Sequence, residues 1–275
     1  MPNLVAIRRE TKSPWERRAP LTPEVARSLV REAGVRIAVQ SSSRRVFSDK
    51  EYVRAGAEVV NDLSEARVVL GVKEVPPELV QADTTYLYFA HVIKGQPYNM
   101  PMLARLLDLR CTLIDYELVC DDAGRRLIFF GRYAGLAGMV DTLWALGLRL
   151  DWEGVPNPFG AMQPAHRYRA LEDALQAVSD VGGCLAEDGV PAQLRPLVVG
   201  IAGYGNVGRG TREVLSRLPV REVSPDELAR LDPASEAARR HVFVTTFKEE
   251  HLVEPRRTGA TFELQFEGAK GMPHP

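Results

Sequence analysis

The chain has 275 residues, a formal net charge of −1, 45% hydrophobic residues and 26% charged residues. These values are ordinary for a globular protein of one large or two medium domains, and the near-zero charge favours neither nucleic acid nor an anionic membrane as a partner. The three cysteines lie far apart without metal-type spacing, so we expect reduced thiols and no metal site. No signal-peptide pattern and no apolar run of roughly 20 residues is present, so a cytoplasmic location is expected.

Short β-branched runs alternate with amphipathic stretches in the first part of the chain. The predicted strands are "LVAIRRE", "VRIAVQSS", "AEVVND", "VVLGVKE", "TTYLYFAHV" and "CTLIDYELV". The predicted helices are "TPEVARSLVREAG", "SDKEYVRAGA" and "NMPMLARLLDL", with Thr22 and Ser48 as N-caps of the first two. Strands that alternate with helices predict βαβ units and a mainly parallel sheet.

The middle of the chain is apolar first and polar afterwards. "YAGLAGMVDTLWALGLRL" predicts a long helix in which Gly135 and Gly138 allow close backbone contact. The polar, proline-rich "DWEGVPNPFGAMQPAHRY" predicts a hinge between two domains, and "ALEDALQAVSDVGGCLAEDG" predicts a further helix.

A glycine-rich turn follows the buried strand "PLVVGIA" and opens a helix. It contains a G-x-G-x-x-G pattern at Gly203, Gly205 and Gly208, with Asn206 and Val207 between the last two glycines. In this context the pattern is typical of a dinucleotide site, because the glycines permit a tight turn, close approach of a pyrophosphate, and packing of helix on strand. The alternative is a strand–helix turn that binds no ligand.

The choice between NAD and NADP depends on the residues that follow this motif. An acidic residue roughly 20 positions further on is typical of NAD sites, and Glu222 is the candidate. Arg221 precedes it and suits the extra phosphate of NADP, so both coenzymes remain open and NADP is favoured.

Together these patterns predict an α/β protein with two Rossmann-like parallel-sheet domains and a cleft between them. Residues 1–131 would form a substrate domain, and residues 132–275 linking helices and an incomplete coenzyme domain.

Charged side chains in the first domain lie at the ends of predicted strands or just after them. Ligands bind beyond the carboxyl ends of strands in open α/β sheets, so these side chains are expected to converge on one cleft. Each also has a plainer interpretation as a solvated charge, a surface ion pair (Lys73 with Glu74) or a hydrogen-bonded core histidine. The residues concerned are Arg8, Arg9, Glu10, Lys12, Arg17, Arg18, Lys73, Glu74, His91, Lys94, Asp115 and Glu117.

The chemistry of such a cleft would be coherent. Arginine and lysine side chains bind substrates with more than one carboxylate. A desolvated lysine such as Lys73 and a histidine such as His91 are suited to acid–base catalysis. Glu74, as the neighbour of Lys73, would counter the effect of desolvation on that lysine.

Several segments resemble the lysine–2-oxoglutarate reductase family, also called saccharopine dehydrogenase (lysine-forming). The matching segments are "RRETKSPWERRAPLTP", "GVKEVP", "YFAHVIKGQPYNMPML", "IDYELVCDDAGRRLIFFGRYAGLAGMVD" and "GYGNVGRGTREVLSRLP". The first of them are shared more loosely with alanine dehydrogenase and the transhydrogenase α subunit, which have similar N-terminal domains.

The resemblance implies that lysine and 2-oxoglutarate condense to an imine, which NAD(P)H reduces to saccharopine. It also implies that Lys73 and His91 form the acid–base pair and that Arg18 and Arg126 bind substrate carboxylates or coenzyme. Lys94 and Glu117 fall in the same binding motifs.

The end of the chain departs from the family pattern. "HVFVTTF" predicts one later strand, and residues 254–275 have little pattern, whereas the family's sequences continue further. The resemblance therefore implies a C-terminally truncated member, with the rest of the coenzyme site supplied by a second chain or missing. Two alternatives stay open: an alanine dehydrogenase-like amino-acid dehydrogenase, and a truncated relative that binds a nucleotide or partner without turnover.

Overall fold

The computed structural model describes residues 4–253. The chain divides between Phe129 and Phe130 into two compact units. The expectation of little regular pattern in residues 254–275 lies outside the described residues. Within the described range, no helix combines the length and the apolar character needed to cross a membrane.

The first unit is built on a six-stranded sheet in which every strand pair is parallel, as predicted. The strand order is β3-β2-β1-β4-β5-β6. Because the chain moves outward from β1 to β3 and then returns to start β4 on the other side of β1, a crevice opens at the carboxyl ends of β1 and β4. The strands are β1 (Leu4–Ile7), β2 (Arg36–Gln40), β3 (Glu58–Val60), β4 (Val68–Leu70), β5 (Thr85–Tyr88) and β6 (Thr112–Asp115).

The first two of the three α-helices described in the first unit begin at the predicted caps. The three helices are α1 (Pro23–Glu32), α2 (Asp49–Arg54) and α3 (Met100–Asp108). The Thr22 side chain accepts a hydrogen bond from the Val25 amide at 3.3 Å, and Ser48 forms a capping box with Glu51. These caps satisfy amide groups that the first turn of a helix leaves unpaired.

The first sheet is buried on both faces. Ala6 and Ala38 pack in the apolar cluster of one face, and Ile7, Ile37 and Val39 pack in the cluster of the other. Successive residues of a strand point to opposite faces, so continuous apolar runs are what a sheet covered on both sides requires. The charged residues of the strands are therefore confined to strand ends, at Arg36, Glu58 and Asp115.

The second unit contains a three-stranded parallel sheet with the order β7-β9-β8 among the described strands. Its elements are α4 (Gly131–Trp152), α5 (Leu171–Asp188), β7 (Val198–Ala202), α6 (Asn206–Leu215), β8 (Val220–Glu222), α7 (Pro225–Leu228), α8 (Glu236–Arg240) and β9 (Val242–Phe247). The core is formed by α4, α5 and α6 against the sheet, with residues such as Leu143, Val178 and Val214 almost fully buried.

The predicted hinge between domains is wrong. The "DWEGVPNPFGAMQPAHRY" segment lies inside the second unit, after α4 has begun it. Phe159 is completely buried in the core of this unit, and a Cβ added to Gly147 would meet the Phe159 carbonyl at 2.6 Å. Two short 3-10 turns, Pro158–Ala161 and Ala165–Arg167, follow one another in this segment. Its buried apolar residues Phe159 and Met162 pack in the core of the unit.

Close backbone contact between α4 and α6 depends on glycine at one of the two predicted positions. A Cβ added to Gly135 would lie 2.0 Å from the Val207 carbonyl oxygen, so no side chain fits there. For Gly138 the prediction is wrong, because a Cβ would meet nothing within 4 Å among the described residues. The two glycines lie three positions apart on α4, and only Gly135 faces α6.

Alanine at these two glycines should therefore have opposite effects. We expect Gly135→Ala to lower the free energy of unfolding by about 1–3 kcal/mol or more through overpacking. Gly138→Ala should leave it unchanged or raise it by up to about 1 kcal/mol through helix propensity. Chemical denaturation of the two variants and the wild type measures this difference, and equal stabilities for the two variants would contradict the α4–α6 contact described here.

Candidate active site

The charged residues of the first unit follow neighbouring strands at one edge of the sheet. Parallel pairing continues past the ends of β4 and β5, since the Phe89 amide donates to the Val72 carbonyl oxygen at 3.2 Å. Lys73 and Glu74 then follow β4 at the level where His91 follows β5. β4 ends at Leu70 and β5 ends at Tyr88, earlier than predicted. Lys73, Glu74 and His91 therefore lie in the loops that follow these strands.

Glu74 is the centre of a buried polar cluster. Its Oε1 atom accepts hydrogen bonds from Lys12 Nζ at 2.6 Å and from Asn99 Nδ2 at 3.0 Å, and lies 3.0 Å from His91 Nδ1. The Glu74 side chain is only 6% exposed. Burial alone would raise the pKa of Glu74, but the bonds from Lys12, its own backbone amide, Asn99 and His91 lower it to about 2. Glu74 is therefore ionised at neutral pH.

The plainer interpretation of Lys73 and Glu74 as a surface ion pair is wrong. Glu74 bonds to Lys12, Asn99 and His91, and no ion pair with Lys73 is present among residues 4–253. The chain bends at Val72 and Lys73 after β4 has ended, and adjacency in sequence does not pair the side chains of Lys73 and Glu74.

His91 is held in one orientation by its backbone and its ring. Its φ of +51° is left-handed, which is uncommon outside glycine. The buried Asn99 supports this conformation, since Nδ2 donates to the Ala90 carbonyl at 2.9 Å and to the His91 carbonyl at 3.3 Å. The ring stacks on Phe89 with centroids 6.4 Å apart. An ionised Glu74 can only accept, so Nδ1 carries the proton and Nε2 is the nitrogen left for chemistry.

Glu10 ties the end of β1 to the backbone at Lys73. Its two carboxylate oxygens accept from the Val72 amide at 2.8 Å and the Lys73 amide at 3.1 Å. Arg8, also buried, donates to Glu10 at 3.2 Å. Burial raises the pKa of Glu10, and Arg8 opposes that rise. Glu10 and Lys12 were among the strand-end charges expected to converge on the cleft, without an assigned role, whereas Asn99 was not predicted.

The Lys73 ammonium is left available for a ligand. It makes no hydrogen bond or ion pair with the described residues, and its side chain is half-buried. Glu16 nearby is buried, which opposes ionisation, but bonds from Arg18 and the charges of Arg18 and Lys73 lower the pKa of Glu16. Arg18 forms a bidentate ion pair with Glu16, in which Nε donates to Oε1 at 2.8 Å and Nη2 donates to Oε2 at 2.6 Å. The two bonds fix the plane of the guanidinium group.

Two further predicted residues meet beside Phe89. Arg126 places its guanidinium 5.6 Å from the Phe89 ring and pairs with Glu117 at 3.4 Å. His91 stacks on the same ring, so Phe89 joins Arg126 to the Glu74 cluster. Lys94 is exposed and bonds to no described residue, so the structure does not bring it into this group.

The second unit contains the predicted glycine turn between β7 and α6. Gly203 has a left-handed φ of +112°, and a Cβ on Gly208 would meet the Gly203 carbonyl oxygen at 2.8 Å. A Cβ at Gly205 would meet nothing within 4 Å among the described residues, which leaves the space that a pyrophosphate needs. Gly203, Gly205, Asn206, Val207 and Gly208 line a cavity of about 410 Å³. These residues fit the phosphates of a dinucleotide.

The residues expected to select the coenzyme lie away from this turn. Arg221 and Glu222 are on β8, which β9 separates from β7. Glu222 is paired with Arg212 of α6.

Among residues 4–253 no group of three His, Cys, Asp or Glu side chains could hold a metal ion.

Two solved structures share the fold. They are an L-alanine dehydrogenase (TM-score 0.51, 20% identity, 89% of this chain and 61% of that chain) and the transhydrogenase from Sinorhizobium meliloti (TM-score 0.54, 15% identity, 89% and 69%). The family model for the alanine dehydrogenase/PNT N-terminal domain matches residues 6–137.

Curated relatives match almost the whole chain. Alpha-aminoadipic semialdehyde synthase, a mitochondrial protein of Rattus norvegicus, is 38% identical over 96% of this chain and 28% of its own length. The Arabidopsis thaliana protein of that name is 40% identical over 83% of this chain and 22% of its own length. The chain thus spans less than a third of these relatives.

A shorter relative is covered more completely. Saccharopine dehydrogenase [NAD(+), L-lysine-forming] of Candida glabrata is 32% identical over 94% of this chain and 69% of its own length. This confirms the resemblance carried by the motifs around Lys73, His91 and the glycine turn: the chain belongs to the saccharopine dehydrogenase (L-lysine-forming) family.

Proposed function

We propose that this chain forms the substrate site, and part of the coenzyme site, of an oxidoreductase of lysine metabolism. The reaction is the condensation of L-lysine with 2-oxoglutarate and reduction to saccharopine with NAD(P)H, or its reverse. The observation that carries the proposal is the Glu74–His91 contact of 3.0 Å beside the unpaired Lys73. Relatives named for this chemistry support it, as does the glycine turn.

His91 and Lys73 would transfer protons during imine formation and hydrolysis. Joining an amine to a ketone requires protons at the carbonyl oxygen and from the nitrogen, which two groups of different basicity can exchange. Glu74 keeps the His91 proton on Nδ1 and stabilises the charged imidazolium whenever Nε2 takes up a second proton. Lys73, bound only through its backbone to Glu10, is free to turn its ammonium toward the substrate.

Arg18, Arg126, Lys94 and Glu117 are proposed as the groups that bind the substrate's carboxylates and amine. Arg18 and Arg126 each pair with a glutamate in this structure, Glu16 and Glu117. A substrate carboxylate would add to these pairs or replace one partner, which gives two positively charged points for a dicarboxylate. Lys94 would join them as an exposed, unpaired cation.

Gly203, Gly205, Asn206, Val207 and Gly208 would hold the pyrophosphate of the coenzyme, with NADP favoured over NAD. When bound, the coenzyme supplies or accepts the hydride. The described strands make one half of a dinucleotide fold. The other half would come from chain outside residues 4–253 or from a second chain.

A cytoplasmic location remains a proposal, supported by three cysteines that are all free.

Turnover with lysine, 2-oxoglutarate and NADPH tests this function directly. We expect NADPH oxidation that requires both lysine and 2-oxoglutarate, by the chain alone or joined to any sequence encoded directly downstream. Oxidation of NADH with pyruvate and ammonia instead would identify the alanine dehydrogenase-like alternative. Nucleotide binding without turnover of either substrate set would identify a non-catalytic relative.

Substitution of the two proposed acid–base groups should depress that turnover. His91→Gln and Lys73→Met should each lower kcat by about 10²- to 10⁴-fold, because each removes a proton-transfer group. His166→Gln and Lys50→Met, which alter exposed residues elsewhere, are the matched controls and should retain wild-type rates. Wild-type rates for both His91→Gln and Lys73→Met would refute the acid–base assignment.

The low pKa of Glu74 predicts how its contribution to stability depends on pH. The folded pKa of about 2 lies below the ordinary 4.5, so the ionised carboxylate stabilises the fold above pH 4.5 and this stabilisation is lost as pH falls toward 2. Glu74→Gln should therefore lower the free energy of unfolding by about 2 kcal/mol at pH 7 and by much less near pH 2.

Denaturant unfolding at several pH values measures this difference. Glu78→Gln, at an exposed position four residues later, is the control and should change stability little at any pH. A loss for Glu74→Gln that stays constant from pH 7 to pH 2 would contradict an ionised, hydrogen-bonded Glu74.

A further inference from the structure

The sheet of the second unit places an unexpected strand beside the glycine turn. β9 pairs with β7 over five residue pairs, from Val198–Phe243 to Ala202–Phe247, and β8 pairs with the far side of β9. In a dinucleotide fold with the strand order 3-2-1-4-5-6, the residue that meets the ribose of the adenosine lies at the end of strand 2, one of the two neighbours of the glycine-turn strand. In this chain that neighbour is β9, although β8 comes next in sequence.

The handedness of the crossover supports this assignment. The β7–α6–β8 connection joins parallel strands of one sheet, and such connections are right-handed. β8 therefore lies on the side of β7 where the second strand of a dinucleotide fold belongs, and β9 occupies the position between them.

Register separates the two candidate positions further. Glu222 pairs with Val244, three residues before Phe247, the last residue of β9. At about 3.3 Å per residue and about 4.8 Å per strand, Glu222 lies on the order of 10 Å short of the sheet edge and 10 Å across from β7. Its carboxylate is also occupied by Arg212. Neither Glu222 nor its neighbour Arg221 is placed to reach the ribose.

The end of β9, in contrast, adjoins the turn. The Gly203 amide donates to the Phe247 carbonyl at 3.0 Å, and the Tyr204 hydroxyl donates to Glu249 Oε2 at 3.4 Å. Lys248 lies between these two contacts. It is exposed, and its ammonium bonds to no described residue.

We propose that Lys248, the first residue after β9, binds the 2′-phosphate of the coenzyme's adenosine, and that it replaces Arg221 as the determinant of NADP over NAD. The inference rests on the coenzyme site of the proposed function and names the residue that selects the coenzyme there. Glu249 is the competing charge, because a free carboxylate at this position would favour an unphosphorylated ribose. The Glu249 carboxylate is not free, because its Oε2 accepts a hydrogen bond from the Tyr204 hydroxyl.

Binding of adenosine 2′,5′-bisphosphate and of 5′-AMP tests the inference without catalysis, because the two differ only in the 2′-phosphate. Calorimetric titration of the wild-type chain should show the bisphosphate bound at least about 10-fold more tightly, the gain of one charge-assisted contact. Lys248→Ala should remove that preference while 5′-AMP affinity is unchanged. Arg221→Ala, the matched control, should keep it, and Glu249→Gln should not reduce it.

Equal wild-type affinity for the two nucleotides, or a preference that Arg221→Ala removes and Lys248→Ala does not, would overturn the assignment and leave the proposed function standing. Failure of the wild type to bind either nucleotide would overturn the assignment together with the coenzyme site. A Lys248-dependent preference in a chain that shows no saccharopine chemistry would uphold the assignment and refute the proposed reaction.

Discussion

The arrangement of the candidate active site depends on one buried carboxylate. A buried charge is costly unless hydrogen bonds replace the water it has lost. Glu74 meets this requirement at Oε1, where three segments converge: Lys12 after β1, His91 after β5, and Asn99 before α3. Its Oε2 is buried without a hydrogen-bond partner among the described residues. Because those segments lie 62, 17 and 25 residues from Glu74 in sequence, the same contacts that satisfy the charge also assemble the crevice.

The contacts around Glu74 constrain His91 and Lys73 to different degrees. His91 is fixed in ring orientation and in backbone conformation, whereas the adjacent Lys73 is fixed only through its amide to Glu10. Of the two groups proposed to transfer protons, His91 is therefore held at its ring and its backbone, and Lys73 at its backbone only. Phe89 extends the arrangement, since His91 stacks on its ring and Arg126 lies over it.

The local features of the fold could be predicted from the sequence because local rules determine them. The caps at Thr22 and Ser48 and the glycine turn at Gly203 depend on residues within one helical turn, and all three are present. The parallel sheet followed from alternation of strands and helices. The strand-end position of Lys73 and His91 followed from the same pattern.

Features that depend on pairing between distant segments could not be predicted. Adjacency in sequence suggested Lys73 as the partner of Glu74, but its partners come from other strands. Chain order suggested β8 as the neighbour of β7, but β9 enters between them. Gly135 and Gly138 look equivalent in sequence, but only Gly135 lies against the backbone of α6. Composition suggested a hinge where the buried Phe159 makes a core segment.

The tautomer of His91 tests the central claim most directly. Nitrogen-15 NMR of the chain labelled at its 5 histidines, with His91→Gln used for assignment, distinguishes a protonated Nδ1 from a protonated Nε2. An Nδ1–H tautomer at neutral pH in the wild type would support the account, since an ionised Glu74 requires a donor at Nδ1. A predominant Nε2–H tautomer in the wild type would contradict it.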